Sequence, residues 1–298
     1  MQTVAEPNLT GLKLSPGKMP GHWLLARLGK RVLRPGGLEL TRCMLEALAV
    51  QSSDAVVEFA PGLGVTTRLA LDRHPAAYIG IEADETAAAR VRPLLSGSNQ
   101  QCLVGTAAKT SLAQNSVTVV YGEAMLTMQG QAQKRQIVRE AARLLKPGGR
   151  YGVHELCLVP DNLDDSIKQE IQRALSQSIR VGARPLTAEE WRGILEAEGF
   201  EVIMETLRPM RLLEAERLIQ DEGFWGALRF GWNLCRDQEA RQRVLAMRRT
   251  FIKYHSHLAA VMLVGIKGSN STQRKDSTLQ RANAGELFAA LGKSGSKR

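Results

Sequence analysis

From residue 55 onward the chain alternates between two hydrophobic rhythms. Short β-branched runs at 56–60, 78–82, 102–104, 117–121 and 151–158 read as strands. Between them, stretches near 65–73, 84–95 and 131–145 repeat apolar residues every third or fourth position, as amphipathic helices do. Later runs at 200–207 and 258–267 add two more strands. Strands separated by helices are joined in parallel by right-handed crossovers. The pattern therefore predicts an α/β fold, a doubly wound and mostly parallel sheet of seven strands.

The flanks read differently. Residues 1–20 hold three prolines and no sustained period, whereas Trp23, Leu24, Leu25 and Leu28 fit one helical face that ends near Arg34-Pro35-Gly36-Gly37. A second helix is expected over 38–50, with Leu40, Met44, Leu45 and Leu48 spaced for burial. Further on, Thr187 and Glu190 form a capping-box pair ahead of an apolar-periodic stretch. Residues 211–256 read as a long helical insertion before the last strand, and 268–298 as a disordered tail in which 286–291 could form one helical turn. The expected organisation is an arm and helical cap over 1–50, a main domain over 51–267 that contains the insertion, and the tail. Phe224, Trp225, Phe230 and Trp232 place four of the ten Phe and Trp residues within nine positions of the insertion. They could be a packed helical hairpin, or, with Trp23, a roof over an apolar pocket.

Charge changes this picture little. The net charge of +10 resides at the ends: residues 1–50 carry seven Lys/Arg against three Asp/Glu, and residues 268–298 six against two, which leaves 27 against 25 for the body. Basic ends are weaker evidence for nucleic acid than a basic groove, so nucleic acid is an unlikely partner. No run approaches the roughly 20 apolar residues that span a bilayer, and the N-terminus lacks the layout of a secretory signal. A cytoplasmic protein is expected. The four cysteines are scattered, without metal-ligand or disulfide spacing, and are expected to be reduced and mostly buried.

The chemistry concentrates in the first strand-to-helix turn, Glu58-x-Ala60-x-Gly62-x-Gly64. In a doubly wound sheet ligands bind at such turns, at the carboxyl ends of the strands. The dinucleotide fingerprint needs a further small residue about three positions on, and the turn lacks that pattern. An acid followed by alternating small residues instead resembles the first motif of the class I S-adenosylmethionine-dependent methyltransferases. Tyr78-Ile79-Gly80-Ile81-Glu82 looks like that family's second strand, and the run from Val138 through Lys146-Pro147-Gly148-Gly149 is similar to its helix and turn before the fifth strand. Residues 186–202 look like its later helix and strand.

The resemblance implies a Rossmann-like version of the sheet and S-adenosylmethionine as cofactor. It implies cofactor contacts from Glu58, Ala60, Gly62, Gly64, Glu82, Ala83, Thr106, Ala107 and Tyr121, with Glu82 on the ribose hydroxyls. The ligand carries a sulfonium and no phosphate, so glycines serve close approach and carboxylates replace an anion cradle. Thr106 stands where the family often has an acid for the adenine amino group, and Thr118 replaces a second acid in the fourth strand. As a base for the methyl acceptor, His154 comes first and Glu155 second, because both end the fifth strand at the expected rim. The implied activity is methyl transfer to a small, apolar or aromatic molecule. Two alternatives remain: a methyltransferase acting on RNA or protein, and a non-catalytic binder of the cofactor.

Overall fold

A computed structural model describes residues 14–268. The N-terminal part of the expected arm and the whole basic tail beyond Gly268, including the turn at 286–291, lie outside the described residues. Strands β1 (Ala55–Phe59), β2 (Ala77–Glu82), β3 (Gln100–Val104), β4 (Val117–Glu123), β5 (Leu145–Leu158), β7 (Phe200–Pro209) and β8 (Leu258–Lys267) form one sheet in the order β3-β2-β1-β4-β5-β8-β7. The first five run parallel, and β8 inserts antiparallel between β5 and β7. An eighth strand, β6 (Leu186–Thr187), pairs with the end of β5 off this path. Two residues are too short to leave a period, so the hydrophobic pattern missed it.

Strand periodicity explains the layers. Neighbouring residues point to opposite faces, and Val57, Val120, Val153 and Leu263 bury one face under helices α5 (Gln131–Leu144) and α7 (Ala188–Ala197). Val56, Val119 and Met262 bury the other under α2 (Gly37–Ala47), through Leu40, Met44 and Leu48. Helix α2, assigned from sequence to a separate cap, thus packs directly on the sheet. Helices α3 (Val65–Leu71) and α4 (Glu85–Val91) complete the parallel crossovers.

Above the carboxyl ends of the strands sits a helical cap. Helix α1 (Gly21–Arg27) is shorter than its period suggested, ending well before Arg34. It packs through Leu24 and Leu25, with Leu28 just beyond, on α9 (Gln238–Lys253) and on Phe230 of α8 (Ala215–Arg236). Helix α6 (Asp165–Ile179) closes the side through Ile171 and Leu175. Helix α8 is broken at Gly223, whose φ of 74° and ψ of 167° are not helical. Among the described residues no helix is long and apolar enough to cross a membrane.

The expected capping box is present. The Thr187 hydroxyl accepts from the Glu190 amide, and Glu190 accepts from the Thr187 amide at 2.8 Å. Replacing Thr187 with Ala should cost about 1 kcal/mol of unfolding free energy, read from urea melts at constant m-value.

Candidate active site

The turn after β1 explains its own composition. Ala60, Gly62 and Gly64 all take positive φ, at 54°, 57° and 71°, so the chain reverses through alternate left-handed residues. At Gly64 a Cβ would lie 2.5 Å from Leu94 Cδ1, so this glycine seats α3 against α4's extension. At Gly62 the requirement is conformational, and its N–H donates to Glu82 Oε2 at 2.9 Å. The other Glu82 oxygen accepts from Asp84 N–H at 3.1 Å, which locks the end of β2 to the turn.

A cavity of about 290 Å³ opens on this turn. Glu58, Ala60, Pro61, Gly62 and Glu82 form one end of it. Its other end is apolar and belongs to the cap: Leu25 of α1, Leu175 and Ile179 of α6, Leu212, and Met247 and Phe251 of α9. His22 and Trp23 also line it, with ring centroids 5.2 Å apart. Burial holds the His22 imidazole down at about 4, against the pull of Asp84, so it stands in the cavity as a neutral ring.

Glu58 is buried behind the turn. Its Oε2 accepts from Thr67 Oγ1 at 2.7 Å, from Tyr121 Oη at 3.0 Å and from Tyr78 Oη. No described residue donates to Oε1. Burial pushes the Glu58 carboxyl up to about 7, with the hydroxyls opposing. A carboxyl raised this way holds its proton more tightly in the folded chain, so its contribution to stability falls between about pH 4.5 and 7. A cation beside it would favour the ionised form.

The remaining sequence candidates fall in four kinds of place. Tyr121 is fully buried and orients Glu58 rather than lining the cavity. Ala83 is exposed beside Glu82, and Thr106 is exposed with its hydroxyl accepting from Ala108 N–H at 3.2 Å. Ala107 is packed in the core. Thr118 sits at the opposite, amino end of β4, where it donates to Asp54 Oδ1 at 2.6 Å and accepts from Ala55 N–H at 3.0 Å. The change at this position therefore says nothing about cofactor binding, and it no longer argues for a non-catalytic chain.

Both residues expected as bases have their side chains committed elsewhere. His154 is 0% exposed: Nδ1 meets Glu123 Oε1 at 2.8 Å, and Nε2 meets the Pro35 carbonyl. Glu155 accepts from the Met125, Leu126 and Thr127 amides at 2.9, 2.6 and 3.0 Å and from the Thr127 hydroxyl at 2.7 Å, so it shapes the loop after β4. His154 does not line the cavity; Glu155 does, with both of its oxygens already accepting from the Met125, Leu126 and Thr127 amides and the Thr127 hydroxyl.

Sequence reasoning passed over the group that ties these parts together. Glu123, at the end of β4, accepts from Arg34, from Thr66 and, at 2.6 Å, from Thr41. Arg34 and Pro35 belong to the loop between α1 and α2, which lines the cavity. The same loop is held from the other side by Glu222, which accepts from Arg31 and Val32 N–H at 2.7 and 2.8 Å, while Asp221 accepts from Leu38 N–H at 3.0 Å. A carboxylate at a strand's carboxyl end and an Arg-Pro-Gly-Gly loop were both visible in the sequence. Their pairing across 89 residues was not.

A family model described as a methyltransferase domain matches residues 57–153, the segment from β1 to β5 that builds the turn, Glu82 and Glu123. An uncharacterized protein of Haemophilus influenzae is 32% identical over 236 residues, covering 78% of this chain and 91% of its own. The chain belongs to the class I S-adenosylmethionine-dependent methyltransferases. Solved methyltransferases share the fold. The putative sarcosine dimethylglycine methyltransferase of Galdieria sulphuraria has a TM-score of 0.62 at 14% identity, over 78% of this chain and 85% of its own. Phosphoethanolamine N-methyltransferase 2 of Haemonchus contortus, solved with phosphomonomethylethanolamine and S-adenosylhomocysteine, has a TM-score of 0.64 at 15% identity, over 83% of this chain and 57% of its own. As a member of that family, with the methyltransferase domain over residues 57–153, the chain takes S-adenosylmethionine as its cofactor. The turn fits that ligand: it presents a backbone without side chains at Gly62, two buried carboxylates for ammonium and hydroxyl groups, and an apolar continuation.

Proposed function

We propose that this methyltransferase acts on a small, mainly apolar molecule held under the helical cap. The observation that carries the reading is the continuity of one cavity from the Gly62 turn to the apolar side chains of α1, α6 and α9. When bound, S-adenosylmethionine supplies an activated methyl group on a sulfonium. Glu82 holds the ribose hydroxyls, Glu58 faces the ammonium end, and Ala60, Gly62 and Ala83 give the backbone close approach. Leu175, Met247 and Phe251 position the acceptor and exclude water. Positioning is the main task in an in-line displacement from a sulfonium, so the committed side chains of His154 and Glu155 are no obstacle.

The test follows a labelled methyl group from the cofactor into fractions of a cell extract. Label is expected in the organic-extractable small-molecule fraction; label in RNA or protein instead would overturn the reading. With the acceptor in hand, Phe251→Ala should raise KM about tenfold through lost apolar contact while cofactor affinity by calorimetry stays the same.

A further inference from the structure

Helix α8 has two apolar faces, and the core uses one of them. Phe230 is 5% exposed and packs with the cap, which accounts for the buried face. Phe224, Trp225, Leu228 and Trp232 are 63%, 77%, 55% and 63% exposed. At 100° per residue these four positions fall within an arc of about 100°, roughly opposite Phe230. Single exposed apolar side chains are ordinary on a soluble protein, but four large ones on one helical face mark a surface that meets something.

The charges around this face say what. Arg229 and Arg236 border one side of it on α8, and the Arg236 guanidinium lies 5.8 Å from the centre of the Trp232 ring. Neither arginine forms an ion pair among the described residues. From 224 to 254 the chain carries seven Lys/Arg and two Asp/Glu.

We propose that this face of α8 docks on an anionic lipid surface. Tryptophan and arginine each join an apolar body to a polar end, which suits them to the boundary between headgroups and acyl chains, and the arginines add attraction to anionic lipid. A second copy fits less well, because a two-fold contact would set the same unpaired arginines against one another. The chain's own tail fits no better, since residues 269–298 carry six Lys/Arg against two Asp/Glu. Docking here also has a route to the cavity. Glu222, two residues before Phe224, holds the backbone of Arg31 and Val32 in the loop that lines it.

The experiment uses the full chain and no substrate. Sedimentation with phosphatidylcholine vesicles, with and without phosphatidylglycerol, is compared for wild type, Trp225→Ser/Trp232→Ser and Arg229→Glu/Arg236→Glu. All four positions are exposed, and the melting temperatures of the variants should match wild type. Wild type should bind the anionic vesicles, with a blue shift in tryptophan emission, and binding should weaken at high salt. Each double variant should bind at least about tenfold more weakly. Failure to bind anionic vesicles, equal binding to neutral ones, or undiminished binding by both variants would overturn the proposal. So would self-association of wild type without lipid, abolished in the tryptophan variant, since a second copy would then own the face.

Discussion

Glu82→Ala should weaken S-adenosylmethionine and S-adenosylhomocysteine binding by at least about a hundredfold, measured by calorimetry, with little change in the melt of the free protein. Two effects combine. The carboxylate is 7% exposed at the cavity wall, and its two oxygens can each take one ribose hydroxyl as well as the amide already bound. Hydrogen bonds to a charged group contribute about 1.5–3 kcal/mol each, so losing two such contacts exceeds two decades in affinity. The change also releases the Gly62 amide, and with it the left-handed turn that the ligand must approach. Glu82→Gln should not rescue binding. Its two oxygens now face two N–H donors, and an amide replaces one acceptor by a donor that one of those N–H groups would oppose. Wild-type affinity in either variant would remove Glu82 from the ribose site.

Much of this arrangement was legible in the chain because the relevant signals are local. Alternating β-branched runs reveal strands through a two-residue period, and the methyltransferase motifs fall on the ends of β1 and β2 and on the start of β5, where one short segment carries both the turn and its acid. The Thr187 capping box was equally readable, since both partners lie within one helical turn. Errors arose where the answer depended on contacts distant in sequence. His154 ends a strand at the right rim, but the carbonyl of Pro35, 119 residues away, occupies its Nε2. The aromatic cluster has the period of an amphipathic helix, and a period says which residues share a face, not where that face points. Phe224, Trp225 and Trp232 turn outward, while Met247 and Phe251 of the next helix line the cavity. Cysteine burial divided for the same reason: Cys102 and Cys157 are buried, Cys43 is half-buried and Cys235 is exposed beside the aromatic face.

Glu123→Ala should be the most destabilising single change at the site, lowering the unfolding free energy by about 3–5 kcal/mol at neutral pH. Glu123 and Arg34 are 7% and 10% exposed at their side chains, so removing the carboxylate leaves a nearly buried guanidinium without its counter-charge. It also strips His154 Nδ1 and the Thr41 and Thr66 hydroxyls of an acceptor. The pH dependence separates charge from shape. Burial alone would push the Glu123 carboxyl up, but the Arg34 charge and the His154 contact outweigh it and bring it down to about 2. A depressed carboxyl means that the unfolded chain binds more protons between about pH 4.5 and 2, so this stabilisation is complete above that window and lost as pH falls through it. Wild type should therefore lose on the order of 3 kcal/mol of its advantage over Glu123→Gln across the window, read from urea melts at stepped pH. Parallel acid limbs for the two proteins would mean that the carboxylate is not ionised against Arg34 in the folded state. Because Arg34 and Pro35 line the cavity, Glu123→Gln should also weaken acceptor binding at neutral pH, by loosening the loop that the carboxylate fastens to β4.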